Sequence, residues 1–230
     1  MRVVIVTGRM VQSLRRVVEP VGVDGPAVCY QGAVVVDSDW SWLRHEPLGL
    51  ELAREALDAV LEEGYVPNVY VGDELYVAEV NEWVTAYAGF QQLVPHPVGD
   101  LRAWLATEPT KLVCVGESDE LDGLELRLRA RFGERLYVTK SLPYFLELAA
   151  PGVTKAAGLA FLGERLGFAA GRTIAFGDGE NDVELLEWAG YGIAVENAHE
   201  RVKAVADWVC PPASEEGVAL VLEALLDSRP

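Results

Sequence analysis

The sequence predicts an α/β protein whose parallel sheet is assembled from both ends of the chain and interrupted by an inserted α+β domain. Three observations carry this. Short β-branched runs alternate with amphipathic stretches at either end, in the rhythm of parallel units with right-handed crossovers. Over residues 45–147 the texture changes to short strands with polar interruptions, as in a sheet with one face covered and one wet. With 230 residues, 50% of them hydrophobic, the chain can bury a core of one large domain or two modest ones.

Taken in order, residues 2–6 are a buried strand that leaves as Thr7, Gly8 and Arg9, and residues 12–18 read as a helix broken by Pro20 and Gly22. Residues 27–30 and 33–36 are apolar runs joined through Gln31 and Gly32, and Asp37 to Ser41 has the chemistry of a hairpin turn. Residues 50–63 form an amphipathic helix that Gly64 stops. The middle then alternates strands (66–71, 75–80, 111–115, 136–139, 144–148) with helices (82–88, 121–132). After Pro151 come a helix at 154–166, a strand at 173–176, a loop at 177–181, a helix at 182–189 and a strand at 192–195. Residues 200–206, 208–210 and 216–226 complete the same alternation. The expected domains are thus a discontinuous core, 1–44 with 148–230, and an insert, 45–147.

Charge narrows the partners. Asp and Glu exceed Lys and Arg by 36 − 19 = 17, so a generic electrostatic grip on nucleic acid or anionic lipid is not expected. No apolar run approaches the roughly 18 residues of a membrane span, and Gly8 and Arg9 interrupt the amino-terminal run, so the chain reads as soluble and cytoplasmic. Cys29, Cys114 and Cys210 are far apart in apolar runs and read as buried free thiols. Only four of the 19 basic residues are lysines: Lys111, Lys140, Lys155 and Lys203.

In open α/β sheets ligands sit beyond the carboxyl ends of the strands, which directs attention to three places. Thr7, Gly8 and Arg9 offer a hydroxyl, an approachable amide and a cation, the parts of an anion cradle, and they also fit an ordinary structural turn, since Gly and Thr are common after a strand. Asp178, Glu180, Asn181 and Asp182 crowd a tight turn. That pattern fits a capping turn; it also fits oxygen ligation of Mg²⁺ by Asp178, with Asp182 as second ligand or as its support. Lys155 falls in the first turn of a helix, where the dipole disfavours a cation; that pattern fits an ammonium aimed at a phosphoryl group or carboxylate, and it also fits a solvated lysine on a helix end.

Together, Val6-Thr7-Gly8-Arg9, Gly152-Val153-Thr154-Lys155, the run at 177–187 and Glu196-Asn197-Ala198 resemble motifs two, three and four of the haloacid dehalogenase-like superfamily. The insert and the downstream run at 202–207 resemble its Cof-type (class IIB) phosphatases. The resemblance implies a Rossmann-like core with an inserted substrate-selecting cap, and Mg²⁺-dependent hydrolysis of a small phosphorylated metabolite through an aspartyl-phosphate. It implies that Asp178 and Asp182 serve the metal, that Thr7, Gly8, Arg9, Lys155 and Asn181 hold the phosphoryl group, and that Lys155 and Thr7 take part in catalysis. Where the family often has Asn-Gly-Ala, this chain has Gln31-Gly32-Ala33.

The family's first motif, Asp-x-Asp-Gly-Thr, which supplies the nucleophile on the central strand, does not occur in the sequence. The nearest pattern, Asp37-Ser38-Asp39, precedes Trp40 and suits a hairpin turn. The expectation is a chain that begins too late, at an internal Met, and does not itself turn over substrate. The alternative is an inactive relative that binds a phosphorylated ligand. Without that strand, the strands leading to Thr7 and Asp178 lose a shared partner, and the sheet must rearrange or be unstable.

Overall fold

A computed structural model describes residues 2–227, and the chain divides into two compact units, Met1–Val153 and Thr154–Pro230. The first unit runs β1 (Ile5–Val6), α1 (Val11–Val18), β2 (Ala27–Cys29), β3 (Val34–Val36), β4 (Trp42–His45), α2 (Leu50–Glu62), β5 (Asn68–Val71) and β6 (Glu74–Val77). It continues with α3 (Glu82–Gln91), β7 (Pro95–Pro97), α4 (Leu101–Trp104), β8 (Lys111–Val115), α5 (Ser118–Phe132), β9 (Tyr137–Leu142) and β10 (Phe145–Ala149). In the second unit follow α6 (Lys155–Leu166), β11 (Ile174–Gly177), α7 (Val183–Trp188), β12 (Tyr191–Val195), α8 (Glu200–Val205), β13 (Trp208–Cys210) and α9 (Gly217–Asp227).

The strand, helix and strand at the amino terminus form the expected parallel unit, with Ile5 opposite Ala27 and Val6 opposite Val28. β3 and β4 then extend it as antiparallel hairpins, giving the order β1-β2-β3-β4. Asp37 and Asp39 sit in the β3–β4 turn: Asp37 Oδ1 accepts from the Ser38 amide, Asp39 Oδ1 from the Ser41 amide and hydroxyl, and Trp40 takes left-handed backbone at φ 67°. The Asp-x-Asp of this chain is therefore turn chemistry.

In the second unit β11, β12 and β13 are all parallel, in that order. Strands from the two ends of the chain thus fall into separate sheets, and β1 and β11 are each edge strands. Among the described residues no strand pairs with both β1 and β11.

The inserted stretch forms a sheet in the order β7-β6-β5-β8-β10-β9, antiparallel except between β6 and β7, with α5 packed on β9 and β10. It is the expected α+β pattern, with one correction. β8 and β10 do not have a wet face: Lys111 and Glu147, the polar interruptions, are 2% and 4% exposed, and the residues between them in register are fully buried. Their common face meets a buried polar cluster rather than water. Tyr30, Tyr70, Leu57, Leu112 and Leu146 build the surrounding core, with Tyr30 and Tyr70 edge to face at 5.8 Å.

Among the described residues no helix is long and apolar enough to cross a membrane. All three cysteines are free and buried. Burial pushes the Cys29 and Cys114 thiols up to about 12, the Asp73 charge adding to the effect at Cys29. At pH 8 the folded protein should therefore leave both unreactive, since the thiolate is the reactive form. A disulfide-exchange reagent should titrate no more than one thiol rapidly before unfolding and three afterwards; fast labelling of Cys29 or Cys114 in the native state would contradict the packing.

Candidate functional site

Two strand-exit loops, one in each unit, hold Thr7, Gly8 and Arg9 in the first and Asp178, Asn181 and Asp182 in the second, and Lys155 opens helix α6. In the first unit the Thr7 amide donates to Val28 O at 2.8 Å, which continues the β1–β2 ladder to its last residue. The chain then turns sharply. Arg9 N–H donates back to Thr7 Oγ1 at 3.2 Å, while Arg9 O and Thr7 O accept from the amides of Tyr30 (2.9 Å) and Gln31 (3.1 Å).

Those amides belong to a strained turn. Tyr30 and Gln31 both have left-handed backbone, φ 52° and 59°, and Gly32 follows at φ 107°. Non-glycine residues in this region cost on the order of 1 kcal/mol or more each and persist only where the surroundings fix them. Here the surroundings are the Thr7 and Arg9 carbonyls and Glu147, whose Oε1 accepts from Gln31 Nε2 at 3.1 Å. The Gln31 side chain lies close over Gly8: a Cβ there would come within 2.2 Å of its Nε2, so any larger residue at position 8 would have to displace the Gln31 amide from Glu147. The departure from Asn-Gly-Ala thus has a structural account: the longer amide reaches Glu147.

Glu147 also binds Lys111, Oε2 to Nζ at 2.6 Å, with the two side chains 5% and 3% exposed. Lys111 Nζ donates in addition to Gly8 O at 2.9 Å and lies 5.6 Å and 5.2 Å from the ring centres of Tyr30 and Tyr70. Beside this group Asp73 accepts from the amides of Val11 (3.0 Å) and Gln12 (2.9 Å) and from Tyr30 Oη (2.8 Å), so the β5–β6 turn caps α1 where Met10 has no capping side chain. Burial raises the Asp73 carboxyl above its ordinary range, and these hydrogen bonds oppose that rise. Tyr30 is pushed well above its ordinary value by burial and then by the Asp73 charge.

Arg9 does not stand free as a loop cation. Its guanidinium donates to Ser13 Oγ at 3.0 Å and Gln91 Oε1 at 3.4 Å and lies 5.2 Å from the centre of the Phe90 ring. It braces the loop against α3.

In the second unit Thr154 caps α6 through Ala157 N at 3.0 Å, and Lys155 is the first helical residue. The carboxylate that the unfavourable dipole called for is Asp182, whose Oδ1 accepts from Lys155 Nζ at 2.6 Å with both side chains buried. Asp182 Oδ2 accepts from the amides of Asp178 and Gly179, each at 3.1 Å. Gly177 is required for this: a Cβ there would meet Asp182 Cβ at 2.5 Å. Glu180 turns to His199 (3.0 Å) and Arg201 (3.5 Å), and Asn181 is buried.

The acidic loop therefore resolves by residue. Capping and ion pairing account for Asp182 and Glu180. Asp178 remains exposed, and its carboxylate accepts no hydrogen bond among the described residues. For Mg²⁺, which takes six oxygens, the chain offers Asp178 as a free carboxylate with Asp182 behind it, and no group of three or more His, Cys, Asp or Glu among the described residues gathers to hold a metal. Asp178 suits one position of such a set.

Sequence reasoning missed Lys111, Glu147 and Asp73. Two signals were present: Lys111 is one of only four lysines, and Glu147 is a lone charge inside an otherwise apolar strand.

Residues 1–222 match the family of haloacid dehalogenase-like hydrolases. A protein of Haemophilus influenzae named as a putative phosphatase is 31% identical over 157 residues, 68% of this chain and 58% of its own length, so the chain spans less than two thirds of that relative. The 5-amino-6-(5-phospho-D-ribitylamino)uracil phosphatase YitU of Bacillus subtilis is 31% identical over 228 residues, 96% of this chain and 83% of its own. A solved structure from Thermotoga maritima superposes with a TM-score of 0.81 at 30% identity, covering 96% of this chain and 84% of that one.

The two loop carboxylates should behave oppositely on substitution. Asp182→Ala leaves Lys155 buried and unpaired and should lower stability by about 3–5 kcal/mol. Asp178→Ala should change it by less than about 0.5 kcal/mol. Urea unfolding of both variants checks this, and equal losses would contradict the division of roles.

Proposed function

The chain belongs to the haloacid dehalogenase-like hydrolases, of the Cof type, and on that footing we propose that it is the phosphoryl-binding body of a Mg²⁺-dependent phosphatase for small phosphorylated metabolites. The observation that carries the reading is Lys155, a buried ammonium that Asp182 fixes beside the Asp178 loop. A lysine has three N–H donors and Asp182 engages one, so donors remain for phosphoryl oxygens. The family resemblance assigns the same role to Thr7 and Gly8, a hydroxyl and an amide in the first unit, and to Asn181 in the second.

Each group has a role that its surroundings support. Lys155 offsets negative charge as it builds on the transferring group, the contribution on which phosphoryl transfer depends most. Asp182 pairs with the Lys155 ammonium at 2.6 Å and fixes its direction. Asp178 would hold Mg²⁺, and the bound metal supplies further neutralisation of the phosphoryl oxygens. Arg9, by gripping Ser13 and Gln91, keeps the loop closed on itself and supports the phosphoryl-binding residues beside it.

Residues 45–147 are proposed as the cap that selects the substrate over the discontinuous core of 1–44 and 148–230. The names of the relatives support a phosphorylated small molecule, and the net charge of −17 disfavours nucleic acid. The nucleophilic aspartate of an aspartyl-phosphate route is not among these 230 residues, since Asp37 and Asp39 are spent on a turn. That same observation favours a second reading, in which the chain binds a phosphorylated ligand without cleaving it.

Phosphate release from an aryl phosphate with Mg²⁺ separates the two. The chain alone should release none. Fused to an amino-terminal strand and helix carrying Asp-x-Asp-Gly-Thr, it should release phosphate in a manner lost on Lys155→Ala, by about 10²-fold or more. A fused protein that folds and binds phosphate but stays inert would favour the binding reading, and release by the chain alone would contradict both.

A further inference from the structure

We infer that Lys111, held by Glu147, is a positioning residue that sets the Thr7 hydroxyl as a hydrogen-bond donor to a bound phosphoryl oxygen, acting through the peptide between Gly8 and Arg9. This rests on the phosphoryl-binding role proposed for Thr7.

The links are continuous. Glu147 Oε2 holds Lys111 Nζ at 2.6 Å, and its other oxygen is occupied by the Gln31 amide at 3.1 Å. Nζ donates to Gly8 O at 2.9 Å. A cation on a carbonyl polarises the whole peptide and strengthens the N–H at its far side, the more so in a site shielded from water. That N–H is Arg9's, and it donates to Thr7 Oγ1 at 3.2 Å.

A threonine hydroxyl has one proton and two lone pairs. With a lone pair taken by Arg9 N–H, the hydroxyl is biased towards giving its proton outward, which is what an anionic phosphoryl oxygen needs. Simple pairing of Lys111 and Glu147 would not require the bond to Gly8 O. The third bond is the reason to assign the pair a role beyond packing, and it makes a strand of the inserted segment a partner of the Thr7 loop.

A double-mutant cycle tests it, with inorganic phosphate titrated calorimetrically into the whole chain at fixed ionic strength. Lys111→Met should weaken phosphate binding about tenfold when residue 7 is threonine, and by less than about twofold in a Thr7→Val background. An equal loss in both backgrounds, or no loss in either, overturns the inference, since a merely structural Lys111 would act independently of the hydroxyl. Should Lys111→Met fail to fold by circular dichroism, Lys111→Gln keeps a donor for Gly8 O without the charge; it should give a loss of about threefold with the same dependence on Thr7. Absence of phosphate binding by the unaltered chain overturns the phosphoryl-binding reading and this inference with it. Binding with an additive cycle overturns the inference alone.

Discussion

A buried ammonium group needs a carboxylate beside it, because an unpaired charge in a dry interior costs several kcal/mol. This protein meets that requirement twice, with Lys111 on Glu147 and Lys155 on Asp182, each at 2.6 Å. Both pairs lie under a loop that leaves a strand, and both carboxylates spend their second oxygen on holding that loop or its neighbour: Glu147 on the Gln31 side chain, Asp182 on the Asp178 and Gly179 amides. The conformations of the two loops therefore depend on the pairs. The first pair also explains why two strands of the inserted sheet are buried on both faces, since their polar residues face each other and the β1 loop instead of solvent.

Much of this is legible in the amino-acid sequence. Lys155 in the first turn of a helix works against the dipole, and that local conflict identifies a carboxylate or phosphoryl partner; Asp182 is the carboxylate. The crowded turn at 178–182 reads as a mixture of capping and ligation, and the structure assigns capping to Asp182 and leaves Asp178 free. Lys111 and Glu147 are not legible, because alternation along a strand says which residues share a face and not whether that face meets water. Asp73 is hidden for a related reason: its partners lie about 60 residues away, and a sequence shows local caps more readily than distant ones. The strand β7, bounded by Pro95 and Pro97, and the single turn α4 carry too few residues for any periodicity to register.

The strand pairing shows the other side of the same economy. β1 has only two residues and one neighbour, and β11 is likewise an edge, with Ile174 40% exposed. Parallel strands of this apolar character are ordinarily flanked on both sides. What the described residues show is two strand-exit loops, each held by a buried ion pair, and these are the loops proposed to grip and neutralise a phosphoryl group.

Backbone amide NMR of this chain, titrated with inorganic phosphate, tests most directly whether those loops are a phosphoryl-binding surface. Saturable shifts concentrated at Thr7, Gly8, Arg9, Lys155 and Asn181 are the expected result. Saturable shifts confined to other segments, or none at these residues, would contradict it.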